Sequence, residues 1–315
     1  MITNKDRYRK FCKKEEHLPL FFYPEWLDAV VCEGGNWDVC LSMTNDEVQA
    51  ALPYYLDRKY GFNMIVMPPL TPYLGPYIKY PEEQKYAKKL SYEKQVCEEL
   101  ISQLPKVDFF EMDFPPYIAN WLPFYWSNFD QITRYTYIIN DLSDTDKIFS
   151  DFRSNIRREI RKAEKSLKVV ESEDISQLYH LCERMYSSND KAFNFSSNYL
   201  KKLYNVCKEN NSCKLLFAMD SKDNIHSGIL LAWDKNSSYY LVGATNPNYK
   251  NSGAMSFLMW ECIKRSSQFV NTFNFEGSMV ESVERFFRSF GAVQTPYFNI
   301  KKTNSVLLKY WELMR

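Results

Sequence analysis

At 315 residues the chain exceeds one ordinary core and fits two domains of about 150 residues each. Its 45% hydrophobic and 25% charged residues are those of a soluble globular protein, and 17% aromatics exclude long disorder while leaving tyrosines to line a groove. A net charge of +1 excludes a global field for nucleic acid or anionic lipid; with a polar start at Met1–Lys14 and no run near the roughly 20 apolar residues of a membrane span, a cytoplasmic protein without a membrane span is expected.

Hydrophobic periodicity alternates strand-like and helix-like pieces. The first half opens with a short helix at Pro24–Val31 and strands over 37–43 and 49–56, joined by the turn Thr44–Glu47. The proline-rich stretch Met67–Ile78 reads as irregular. A long helix over Pro81–Leu104, a strand at Phe109–Phe114, a helix over Ile118–Trp126 and a strand at Arg134–Ile139 complete this half. Trp121, Tyr125 and Trp126 are expected in the core.

The second half opens with one helix over Asp146–Ser166 and a strand at Lys168–Glu171, then helices over Ile175–Ser187 and Ser197–Glu209. The strands KLLFAMD and HSGILLAWD form a hairpin through Ser221–Asn224, which carries suitable turn residues. SYYLVGAT is the next strand and NPNYKNSG the next loop. A helix over Ala254–Phe269, a strand at Thr272–Gly277, a helix over Val283–Phe290, a strand at Thr295–Lys301 and a helix over Ser305–Arg315 end the chain.

The halves run in the same order, and the late strands recur at offsets of 163 (272 − 109) and 162 (295 − 133). The expectation is an α/β fold with mixed sheets, two domains at 1–144 and 145–315, related by internal duplication. The eight cysteines show no CxxC pair and stand beside only three histidines, so reduced, mostly buried thiols and no metal are expected.

Several segments resemble the Fem-type and BioF-like acyltransferases of the GNAT superfamily. They are the basic helix FRSNIRREIRKAEK (Phe152–Lys165), GATNPNYKNSGAM (Gly243–Met255), and FNFEGS (Phe273–Ser278) followed by ERFFRSFGA (Glu284–Ala292). With the loop PPLTPYLGPY (Pro68–Tyr77) they span nearly the whole chain, and their order and spacing carry the likeness. The resemblance implies two tandem GNAT-like domains and transfer of an acyl or aminoacyl group onto an amine. The donor it implies is acyl-CoA or, in the Fem branch, aminoacyl-tRNA, and the acceptor a nucleotide- or lipid-linked envelope precursor. Two departures stand out. No heptad-patterned helical insertion interrupts the second half, so a tRNA-docking arm is missing. The acyl-CoA loop, written [QR]-x-x-G-x-[GA], here reads Lys250-Asn251-Ser252-Gly253-Ala254-Met255.

Lys250, Asn251, Ser252, Gly253 and Ala254 are therefore the candidate donor-binding residues. Small residues before a helix let a phosphate or carbonyl approach unpaired amides, and the lysine adds charge. An ordinary N-capped loop would use Asn251 or Ser252 equally well. Arg153, Arg157 and Arg161 recur every four residues beside an apolar helical face and are candidates to grip a substrate phosphate; a solvated basic face is the alternative. Aminolysis needs a base, and strand ends face ligand crevices, so Glu276 is the first candidate and Asp113 the second. Tyr73 and Tyr77, on a stiff loop, are candidates to stack on a sugar or base. No G-x-S-x-G elbow is present, which argues against an α/β-hydrolase. The reading is direct acyl transfer without a covalent enzyme intermediate. Its alternative is a catalytically silent GNAT-like module binding a nucleotide-linked sugar.

Overall fold

A computed structural model describes residues 2–31, 35–188, 193–277 and 279–313. Cys32 and Ser278 thus lie outside the described residues. In chain order the elements are α1 (Asn4–Cys12), α2 (Pro24–Ala29), β1 (Asn36–Thr44), β2 (Glu47–Lys59), β3 (Phe62–Val66), β4 (Tyr77–Ile78), α3 (Tyr86–Ser102), β5 (Phe109–Asp113), α4 (Leu122–Trp126) and β6 (Asp130–Ile139). There follow α5 (Thr145–Asp151), α6 (Ser154–Ala163), β7 (Lys168–Ser172), α7 (Ile175–Ser187), α8 (Ser197–Glu209), β8 (Cys213–Met219), β9 (Ile225–Trp233), β10 (Ser237–Thr245), α9 (Ala254–Ser266), β11 (Thr272–Gly277), α10 (Glu281–Arg288), β12 (Val293–Thr303) and α11 (Val306–Leu313).

The compact units do not coincide with halves divided at 144/145. One unit is 1–134 with 296–315, the other 135–295. The reason lies in the last strands. In the first unit β1, β2, β3, β5 and β12 lie side by side, and Asn299–Thr303 of the C-terminal strand pair antiparallel with Phe109–Asp113. In the second, residues of β6 pair antiparallel with β11, which continues through β10, β9 and β8 to β7. Each unit is thus closed by the final strand of the other half of the sequence. Both share one run of strand relations: antiparallel, antiparallel, parallel, antiparallel.

The helix expected over Asp146–Ser166 is two helices. Phe152 and Arg153 are extended between them, with ψ 145° at both. The Arg153 N–H donates to Ser289 O at 2.9 Å, and Phe152 is buried against Trp260 and Phe290. Anchoring an aromatic in the core outweighs one more helical turn here. Beyond the break, Ile156, Ile160 and Ala163 of α6 pack with Leu258 and Cys262 of α9 and with Leu216 and Ile229 of the sheet. The capped helix α1, held by a Thr3–Asp6 capping box, and the strand β3 are further elements beyond those the periodicity marks.

In the first unit the core is aromatic, with Tyr8, Phe21, Phe22, Trp26 and Trp37 fully enclosed. Buried polar tips are satisfied: Tyr8 Oη donates to Phe22 O, Trp26 Nε1 to Thr71 Oγ1 and Trp37 Nε1 to Asp28. The aromatic helix α4 departs from its expected burial. Phe124 fills the core, but Tyr125 and Trp126 are more than half exposed, and Lys94 lies over the Trp126 ring. Seven cysteines are described as free thiols, and six of them are buried. Burial pushes Cys12, Cys40, Cys97 and Cys182 up to about 12. Among the described residues no helix is long and apolar enough to cross a membrane, and no group of His, Cys, Asp and Glu could hold a metal.

Candidate active site

The second unit contains a split in its sheet. Parallel strands β10 and β11 are paired from Ser237/Thr272 only to Tyr239/Asn274, although they run on to Thr245 and Gly277. Each carries a register shift near this point, between Tyr240 and Val242 in β10 and between Asn274 and Gly277 in β11. Bulges of this kind end pairing and re-aim side chains. Because the strands are parallel, their C-terminal ends emerge on the same side of the sheet, where α/β folds take ligands.

At the end of β10 lies the loop before α9. A pocket of about 340 Å³ opens there, lined by Lys250, Asn251, Gly253, Ala254, Met255 and Ser256 with Thr245, Glu159 and Phe286. Gly253 is left-handed, with φ +76°, and a Cβ there would sit 2.9 Å from the Glu159 carbonyl oxygen. Only glycine meets both conditions. Replacing it by alanine is expected to cost about 1–3 kcal/mol in a denaturant titration. The first helical bond runs from Phe257 N–H to Gly253 O, and the Ala254 N–H is already taken by Ser252 Oγ. The amides of Met255 and Ser256 precede that first bond at the positive end of a thirteen-residue helix. The site suits a phosphate or carbonyl oxygen at those two amides, with Lys250 at the exposed rim. Ser252 supports the helix start and is not among the lining residues.

Of the basic helix α6, only Glu159 lines this pocket, with its Oε2 accepting from Ser256 Oγ at 2.7 Å. Arg157, two residues away, projects about 160° round the helix, on the other flank of the buried stripe. Arg161 follows the Arg157 row, with its guanidinium over the Phe149 ring, and Arg153, the extended N-cap residue, is not among the lining residues either. The three arginines therefore do not join Lys250 at the pocket. Met255, Ser256 and Glu159 do, and the flank opposite the arginines on the helical wheel was the signal for Glu159.

At the end of β11 stands Glu276. It is a non-glycine residue at φ +63°, a strained conformation. Its N–H donates to Asn274 Oδ1 at 2.9 Å, and Thr136 Oγ1 donates to the same oxygen at 2.7 Å. The residue is half-buried, but its carboxyl tip is enclosed and Oε1 has no partner. Burial, with a smaller contribution from the Asp234 charge, pushes this carboxyl well above the usual range. Strain, an orphaned oxygen and a displaced pKa on one side chain make Glu276 a candidate functional position.

The corresponding carboxylate of the first unit is different. Asp113 is buried and receives Arg134 Nη1 at 3.0 and 2.8 Å and Asn299 Nδ2 at 2.9 Å. Arg134 Nη2 also binds Glu111 at 3.0 Å. Burial raises Asp113, against the lowering effect of Arg134 and Asn299. With its oxygens engaged, Asp113 is a structural ion-pair partner rather than a free base. Tyr73 is corrected likewise: it is 7% exposed and packs edge-on to Phe21. Tyr77 sits in β4 beside β2, with its ring against Phe11 and Phe22. The stiff loop spends these rings on its own packing.

Residues 150–275 match the family described as an acetyltransferase (GNAT) domain. No protein of curated function matches the sequence. Among solved structures, FemX is similar at 14% identity and TM-score 0.66, over 95% of this chain and 96% of that one. The L-PGS of Bacillus licheniformis is similar at 12% and 0.53, over 92% and 95%. A tandem GNAT protein from the clavulanic acid biosynthesis pathway is similar at 8% and 0.50, over 88% and 93%. At such identities the likeness is one of fold, and it extends over both units. A GNAT acetyltransferase domain is thus matched over residues 150–275, and the chain as a whole has the double-domain fold seen in FemX and in the tandem GNAT protein.

Proposed function

We propose that the protein transfers an acyl or aminoacyl group, from a CoA thioester or an aminoacyl-tRNA, directly to an amine of a nucleotide- or lipid-linked cell-envelope or polysaccharide precursor. The observation that carries this reading is the parting of β10 and β11, with a helix-terminus pocket at the end of one strand and a carboxyl with one enclosed, unpartnered oxygen at the end of the other. The Met255 and Ser256 amides and Lys250 hold the donor's phosphate or carbonyl oxygens. The amine nitrogen attacks the acyl carbon, Glu276 takes the proton the nitrogen sheds, and the thiolate or ribose oxygen leaves with the electron pair. An enclosed carboxyl with a raised pKa is a stronger base than an exposed one once ionised.

Lys250→Glu tests the donor site without touching the core, because the side chain is exposed. Calorimetry with acetyl-CoA and, separately, with alanyl-tRNA should show one of them binding, and the variant weakening it about tenfold or more. Gly253→Trp is the poorer probe, since any side chain there strains the packing of α9 on α6. Binding of neither donor by the unaltered protein, with binding of a nucleotide-linked sugar, would instead identify a silent recognition module.

A further inference from the structure

We propose that His226 is a positioning residue for the donor loop, its imidazole clamped between Asp220 and the ring of Tyr249 so that residues 246–253 are held at the attitude that binds the acyl donor. The proposal rests on the donor-site reading above. His226 lies in β9, with its side chain 9% exposed. Its ring is parallel to that of Tyr249, with centroids 3.9 Å apart and an interplanar angle of 5°. Its Nε2 is 3.4 Å from Asp220 Oδ2.

Asp220 also accepts from the N–H groups of Lys222 and Asn224 and from Asn224 Nδ2. These donors, the Asn224 side chain foremost, hold its carboxyl well below the usual range, so it is ionised and accepts. The imidazole carries a hydrogen on Nε2, toward Asp220. Its Nδ1 is enclosed and without a partner. A buried polar atom without a partner is costly, and an apolar side chain of similar shape would avoid the cost. What the imidazole provides in return is its other edge, fixed by Asp220, and its face, fixed against Tyr249.

The backbone carries that placement to the helix start. His226 O accepts from Asn246 N–H at 2.8 Å, Asn246 O from Tyr249 N–H at 2.9 Å and Tyr249 O from Ser252 N–H at 2.9 Å. Ser252 Oγ then accepts from Ala254 N–H. Asn246 closes the near end of the loop, donating from Nδ2 to Ile225 O and accepting at Oδ1 from Asn248 N–H. The Tyr249 ring, stacked on His226, anchors the loop's far end, immediately before Lys250.

The test compares His226→Phe, which keeps a flat ring, with His226→Leu and His226→Ala, which do not, in the full-length chain beside Lys250→Glu. Dissociation constants are measured by calorimetry for whichever of acetyl-CoA and alanyl-tRNA binds the unaltered protein, well below each variant's melting temperature. The expected order is binding a few-fold weaker in the phenylalanine variant, which keeps the stacked face and loses the Asp220 contact, and about tenfold weaker in the leucine and alanine variants, which lose both. Tyr249→Ala should match them and add nothing to His226→Ala in the double variant. A lowered melting temperature with unchanged donor affinity in His226→Leu makes the residue merely structural and overturns the proposal. Loss of binding in Lys250→Glu alone overturns it while sparing the donor-site reading; no loss in any variant overturns both.

Discussion

Glu276→Gln should lower the transfer rate by about 10²–10⁴-fold while leaving the chain at least as stable as before. The two halves of this expectation have one cause. The carboxyl is enclosed with Oε1 unpartnered, at a residue strained to φ +63° by the bulge in β11. Such an arrangement is maintained against stability, and relieving it is expected to cost function. The pH dependence fixes the sign. Because the folded pKa lies above the unfolded one, the unfolded chain loses this proton first as pH rises. The group therefore subtracts stability from the ordinary carboxylate range upward, and at low pH it subtracts nothing. Glutamine mimics the protonated form, so the variant should melt with the unaltered protein near pH 4 and above it near pH 8. In the kinetics, kcat/KM of the unaltered protein should climb with pH as Glu276 ionises, and the climb should vanish in the variant. A stability loss at pH 8, or an unchanged rate, removes Glu276 from the chemistry.

Much of the fold was readable because it rests on local periodicity. The helices α7 and α8 fall at the expected residues, and the hairpin of β8 and β9 turns where Ser221–Asn224 predicted. What could not be read is what long-range register decides. Glu111 and Asp113 precede Asn274 and Glu276 by the same 163 residues, and Asn299 follows Thr136 by 163. In the first unit Asp113 pairs in regular register with Asn299. In the second, an extra residue in β11 puts Gly277 opposite Thr136 and leaves Glu276 on the bulge. Equal spacing in the sequence thus gives one balanced carboxylate and one unbalanced one. The arginine row of α6 stands apart from the Lys250 pocket for a related reason: its periodicity is plain, but which flank meets α9 depends on the close approach at Gly253. The aromatic loop residues Tyr73 and Tyr77 show the same limit, since composition cannot tell a ring offered to a ligand from one used to fasten its own loop.

Arg134→Met should cost about 3 kcal/mol near neutral pH, as measured by denaturant unfolding. The guanidinium bridges Glu111 and Asp113, and Asp113 is buried, so its removal leaves two neighbouring carboxylates with Asn299 as their remaining partner in this cluster. Burial already raises Asp113, and the Glu111 charge raises it further; Arg134 is the chief opposing influence. Without it the folded pKa rises more, the unfolded chain again deprotonates first, and the cost grows as pH climbs. Near pH 4, with the carboxyls largely protonated, most of the loss should disappear. Arg134→Lys should recover only part of it, because one ammonium cannot reproduce contacts that two guanidinium nitrogens make with separate carboxylates. Asp113→Asn added to Arg134→Met should recover most of it, since the amide needs no counter-charge. The same substitution separates the two strand-end carboxylates by function: Asp113→Asn alone should transfer acyl groups at a rate within a few-fold of normal, whereas Glu276→Gln should not. A collapse of activity in Asp113→Asn with the fold intact would place the chemistry in the first unit instead and make the ion pair part of the site.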